Sequence, residues 1–125
     1  MGYTTQFKGT FKLNRPLTDE LSRKLIEFSD TRHCRKDDYN KVEPGLPGLW
    51  CQWIPNRNNT GIEWDGGEKF YDYIEWLQYI IDNFLKPEGY EITEDSKVSY
   101  RGEKFEDVGY IYVQNGKVIK ERINL

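Results

Sequence analysis

The chain is 125 residues long, enough for one domain, with 31% charged residues and 37% hydrophobic ones. It contains no alanine but has 4 Trp, 9 Tyr and 6 Phe, so a core must be built from large side chains. Lys+Arg 18 against Asp+Glu 21 leaves a net charge of −3, which excludes a strongly basic nucleic-acid coat protein and an intrinsically disordered tail.

Taken in chain order, Tyr3 to Leu13 alternate in polarity. Phe7, Gly9, Phe11 and Leu13 share one side, and Lys8, Thr10 and Lys12 share the other, which predicts a half-buried strand. Thr18 then precedes Asp19 and Glu20, a hydroxyl cap followed by acidic residues suited to a helix N-terminus. Leu21, Leu25 and Phe28 follow at helical spacing, so a helix is expected from about Asp19 to Asp30. Residues 31–48 have no period and read as a long loop containing Arg32, His33, Arg35 and Lys36. Leu49 to Ile54 and Ile62 to Trp64 read as a hairpin around the turn-rich 55–61 segment.

Asp65-Gly66-Gly67-Glu68 matches a capping box with Asp as the cap. Phe70, Ile74, Leu77, Ile81 and Phe84 recur at steps of four and three, which predicts a long helix from about Glu68 to Leu85, stopped by Pro87 and Gly89. Val98 to Arg101, Gly109 to Gln114 and Lys117 to Ile123 are three further strands. Asn115-Gly116 between the last two is a strong type I′ hairpin signal. The predicted order is β-α-β-β-α-β-β-β. The expected fold is α+β, a mostly antiparallel sheet with two helices packed on one face: a ferredoxin-like core plus a C-terminal hairpin.

The segments Pro47-Gly48-Leu49-Trp50-Cys51-Gln52-Trp53 and Glu63-Trp64-Asp65-Gly66-Gly67-Glu68-Lys69-Phe70-Tyr71 resemble a family of small uncharacterised proteins of bacteria and their phages. The likeness continues through Glu75-Trp76-Leu77, Phe84-Leu85-Lys86-Pro87 and Gly89-Tyr90, and includes the opening Gly2-Tyr3-Thr4-Thr5. Members of that family carry a longer Gly-rich insertion after the Thr-Arg dipeptide, where residues 31–39 here are short and basic. The resemblance implies a phage or mobile-element context and brings no catalytic residues with it.

Asp65-Gly66-Gly67 reads as a cap rather than a phosphate cradle, because no Walker or GxGxxG spacing is present and Asp65 repels an anion. Glu63, Asp65 and Glu68 lack the ligand density of a calcium loop. His33 is the single histidine, and with Cys34 and Cys51 it makes too few ligands for structural zinc. No metal, cofactor or catalytic residue is therefore assigned. The two cysteines read as thiols in a reducing cytoplasm, with Cys51 a small buried hydrophobe; no membrane-spanning segment or secretory signal is expected.

Binding residues are sought among the aromatics and the basic loop. Trp50, Trp64 and Tyr112 are the aromatic candidates, with Trp50 and Tyr112 expected to be exposed; Arg32, Arg35 and Lys36 are the cationic ones. Exposed aromatics on an antiparallel sheet can stack bases, but the signature of RNA-recognition domains is missing, and residues 46–125 hold nine Lys/Arg against fourteen Asp/Glu. Nucleic acid is accordingly not the expected partner. The leading expectation is a non-catalytic accessory protein of a phage or mobile element that binds and inhibits a host macromolecule, an antiviral defence component among them, with homodimerisation a further option. The alternatives are a small-nucleotide sponge, in which aromatics stack the base and the loop cations meet phosphate, and a carboxylate-dependent hydrolase.

Overall fold

The structure, a computed structural model, describes residues 2–124. Its strands are β1 (Gln6–Lys8), β2 (Phe11–Lys12), β3 (Trp53–Pro55), β4 (Gly61–Trp64), β5 (Val98–Arg101), β6 (Val108–Gln114) and β7 (Lys117–Arg122). Helices α1 (Asp19–Ser29) and α2 (Tyr73–Ile80) lie between β2 and β3 and between β4 and β5. The expected α+β class and antiparallel pairing hold throughout. The strands nevertheless fall into two sheets, β1-β5-β6-β7 and β2-β4-β3, in place of one ferredoxin-like sheet. A ferredoxin-like unit needs all four of its strands in one sheet, and here β1 and β5 lie in one sheet while β3 and β4 lie in the other.

The split begins at Gly9. Its φ of 116° is open only to glycine, and a Cβ there would stand 2.9 Å from the Lys97 carbonyl oxygen. The bend at this residue sends the chain from the edge of the first sheet, where Phe7 faces Tyr100, to the edge of the second, where Phe11 faces Ile62. The predicted single strand is thereby divided, while Phe7, Phe11 and Leu13 all remain buried.

Helix α1 has the predicted start: the Thr18 hydroxyl accepts the Leu21 N–H at 3.1 Å. Its last carbonyls are taken up by hydroxyls, Ser29 to Ile26 and Thr31 to Glu27. The helix buries Leu21 and Leu25 and lies against β3. Helix α2 starts five residues later than its pattern predicts. Lys69 and Asp72 adopt left-handed φ values of 55° and 58°, which no helix interior accommodates. The capping box is consequently not formed; Asp65 instead accepts the Gly67 N–H at 2.8 Å in a local turn. Beyond Ile80 the helix widens over Ile81–Leu85, tightens over Lys86–Glu88 and ends at left-handed Gly89. Trp76, Leu77, Ile80, Ile81 and Leu85 form its buried stripe; α2 lies against β7, and Trp76 packs on Phe28 and His33.

One apolar cluster joins both sheets and both helices. Phe7 is at its centre, with its ring 5.2 Å from Trp53, 5.3 Å from Trp64 and 4.9 Å from Tyr73, all edge-on. Aromatic rings thus occupy the volume that smaller side chains fill elsewhere. The C-terminal hairpin turns at Asn115-Gly116 with φ of 52° and 75°, the type I′ geometry expected from the dipeptide.

Candidate functional site

The inner side of the four-stranded sheet meets α2, and its outer side is open. Side chains alternate across the sheet, so Phe7, Val98, Tyr100, Ile111 and Val113 point inward. The intervening residues point outward, and the register aligns Lys8, Ser99, Tyr110 and Glu121 in one row across all four strands. Gln6, Arg101 and Val108 form the next row on one side, and Tyr112 with Ile119 the next on the other. Gln6, Lys8, Arg101, Tyr110 and Glu121 are exposed on this face, Ser99, Tyr112 and Ile119 are half-buried, and Val108 is buried. An open hollow of about 310 Å³ runs over Gln6, Lys8, Ser99, Arg101 and Tyr110.

The face is electrically polarised. Lys8, Lys97 and Arg101 lie on the β1–β5 side; on β7 the same face carries Glu121 opposite Tyr110 and Lys117 at the hairpin end. The Lys97 ammonium is 5.6 Å from the Tyr110 ring centre and 5.5 Å from that of Tyr112, close enough for a cation–π attraction. The Tyr112 hydroxyl donates to Glu121 at 3.0 Å, and this carboxylate holds the phenol above its ordinary pKa. An exposed cation–π contact of this kind contributes about 0.5–1 kcal/mol.

Residues singled out in the sequence are dispersed over the surface. Trp50 is 42% exposed, as expected, yet it lies in the segment before β3 and not on a sheet. Trp64 is half-buried, with its indole N–H donating to the Gln52 side chain at 3.1 Å and its ring against Phe7. Arg32 covers the Tyr39 ring at 4.1 Å, and Arg35 forms a bidentate pair with Asp37 at 2.8 and 2.6 Å, so two of the three loop cations already have partners. Lys36 is exposed beside them. Tyr112 alone of the six belongs to the open sheet face, half-buried next to the more exposed Tyr110. Tyr110 was not among the candidates; it stands two residues before Tyr112 on the same strand face, and the pairing with β5 turns that face outward.

Other chemistry-bearing groups are structural. His33 is buried; its Nε2–H donates to the Phe28 carbonyl at 2.9 Å, and its ring lies 4.3 Å from Phe28 and 5.3 Å from Trp76. The backbone of His33 also bonds Leu49 and Glu43, so the 31–48 loop is anchored at this residue. Burial pushes the Cys51 thiol up to about 12, which makes it inert at neutral pH. Among the described residues, no group of three acidic, His or Cys side chains is arranged to hold a metal ion, and no helix is long and apolar enough to cross a membrane. A cleft of about 500 Å³ between the end of α2 and the β6–β7 turn is lined by Asp82, Glu91 and Glu94 against Lys86 and Lys117, with no net preference for one ligand charge strong enough to define a site.

Comparison with family models, with curated proteins and with solved structures finds no match to the chain.

Proposed function

We propose that the protein is a cytoplasmic accessory protein of a phage or mobile element. It acts by binding a host macromolecule and inhibiting it, an antiviral defence component being one such target, and it performs no catalysis of its own. The observation that carries the binding part is the open outer face of the four-stranded sheet. Tyr110 and Tyr112 stand there side by side next to Lys8, Lys97 and Arg101, whereas the other exposed rings, such as Trp50, Tyr39 and Phe105, lie off this face. Large aromatic rings next to cations are what binding surfaces are enriched in, and exposing them costs the isolated protein solubility. The sequence resemblance to small phage and bacterial proteins supports the context.

Capture from a bacterial lysate tests this reading. The wild-type chain is expected to retain a specific macromolecule that a Tyr110→Ala/Arg101→Glu variant releases. Equal capture by both chains would move the binding surface elsewhere, and repeated capture of nothing specific would refute the binding function.

A further inference from the structure

We propose that the outer face of the four-stranded sheet binds single-stranded nucleic acid, with bases stacked on Tyr110 and Tyr112 and phosphates held by Lys8, Lys97 and Arg101. The inference rests on the reading of this face as the binding surface and names its occupant.

Residues two apart on one strand face are separated by about 7 Å, twice the strand rise and about twice the spacing of stacked bases in a duplex. Two adjacent bases of an extended strand therefore fit one to each ring, whereas a duplex hides its base faces and fits neither. The cations are drawn from β1, β5 and the residue before β5, distant in sequence but gathered on one flank of the tyrosines. Their clustering is invisible in a chain whose net charge is −3. Lys8 and Tyr110 share a row with only Ser99 between them, so a base on the ring places its phosphate within reach of the ammonium. Glu121, opposite Tyr110 on the other flank, repels phosphate and directs the backbone toward the cationic side. Lys97, which now lies over both rings, has only to swing off them to meet a phosphate. A protein partner would also accept the aromatics, but three cations without a carboxylate partner among the described residues, flanking two stackable rings, match a polyanion with planar groups more closely.

The test is fluorescence anisotropy with labelled uridine and thymidine decamers and a duplex of equal length. Both single strands are expected to bind more tightly than the duplex, and their relative affinity distinguishes an RNA target from a DNA one. Three phosphate contacts predict a slope of log K against log salt of about −2. Tyr110→Ala should weaken binding by about 5- to 150-fold, the range for losing one stacked base, and Tyr110→Phe should leave it nearly unchanged. Arg101→Glu, at an exposed position, provides a second variant that does not depend on the ring and should weaken binding and flatten the salt slope. Absence of binding by either single strand at about 100 µM protein and low salt, the weak limit for non-specific complexes, would overturn the proposal. So would affinity unchanged in both Tyr110→Ala and Arg101→Glu, or equal affinity for the duplex. If the decamers fail while a protein is captured through Tyr110 and Arg101, the occupant is wrong and the binding surface is right; if both fail, the surface itself is wrong.

Discussion

Replacing Tyr100 by Phe should make the protein more stable. Tyr100 is 1% exposed on the inner side of β5, and its hydroxyl has no hydrogen-bond partner among the described residues. Burial accordingly pushes its phenol above the ordinary value. A buried hydroxyl without a partner costs about 1–3 kcal/mol of desolvation. Removing the oxygen leaves a void of roughly 12 Å³, which at about 24 cal/mol per Å³ costs about 0.3 kcal/mol. The Lys120 ammonium, 4.8 Å from the Tyr100 ring and 5.0 Å from that of Tyr73, keeps its attraction to a Phe ring. The net expectation is a gain of about 1 kcal/mol, or roughly 3–5 °C in the thermal midpoint of a chain this size. Calorimetry or urea unfolding of the two proteins measures it. A loss of stability of similar size would show that the hydroxyl is satisfied in solution, and would refute the reasoning.

Other substitutions probe the local devices that shape the fold. Gly9→Ala forces a side chain into a glycine-only backbone conformation beside the Lys97 carbonyl and should cost about 1–3 kcal/mol in chemical denaturation; a neutral result would mean that the passage between sheets does not depend on this bend. Thr18→Ala removes the cap of α1 and should lower stability by about 1 kcal/mol, read in the same assay. Asp72 is left-handed, makes no side-chain capping bond and has its carboxyl pKa raised, first by burial and then by Glu75. Because the folded pKa lies above the unfolded one, this group favours folding when protonated and loses that contribution as pH rises through the folded value. Asp72→Asn, which keeps a residue tolerant of the left-handed region, should therefore stabilise at neutral pH and show no gain in acid; unfolding curves at both pH values would decide it.

Local signals in the sequence carried much of the fold. The Thr18 cap with its acidic first turn located α1, and Asn115-Gly116 located the final hairpin, because each signal is satisfied within a few residues. The start of α2 was misplaced for the converse reason. Asp65 and Glu68 have the spacing of a capping box, but left-handed Lys69 and Asp72 interrupt the chain so that Phe70 reaches Trp53 and Tyr73. That demand is tertiary and leaves no periodic trace. The division into two sheets was hidden likewise, since Phe7, Phe11 and Leu13 stay in phase on either side of Gly9. For the site, the sequence pointed to Tyr112 but not to Tyr110, its neighbour on the same strand face. Their cations come from residues 8, 97 and 101, which only the β1-β5-β6 pairing unites. The basic loop was conspicuous in the sequence, yet Arg32 and Arg35 are occupied by Tyr39 and Asp37.

A backbone amide titration by nuclear magnetic resonance, with a uridine decamer added to the isotope-labelled chain, distinguishes most directly among the surfaces described. The largest shifts are predicted at Lys8, Ser99, Arg101, Tyr110 and Tyr112, along one face of the four-stranded sheet. Shifts concentrated instead in the Arg32–Tyr39 loop or around the cleft at Asp82 and Glu94, or no shifts at all, would contradict the assignment.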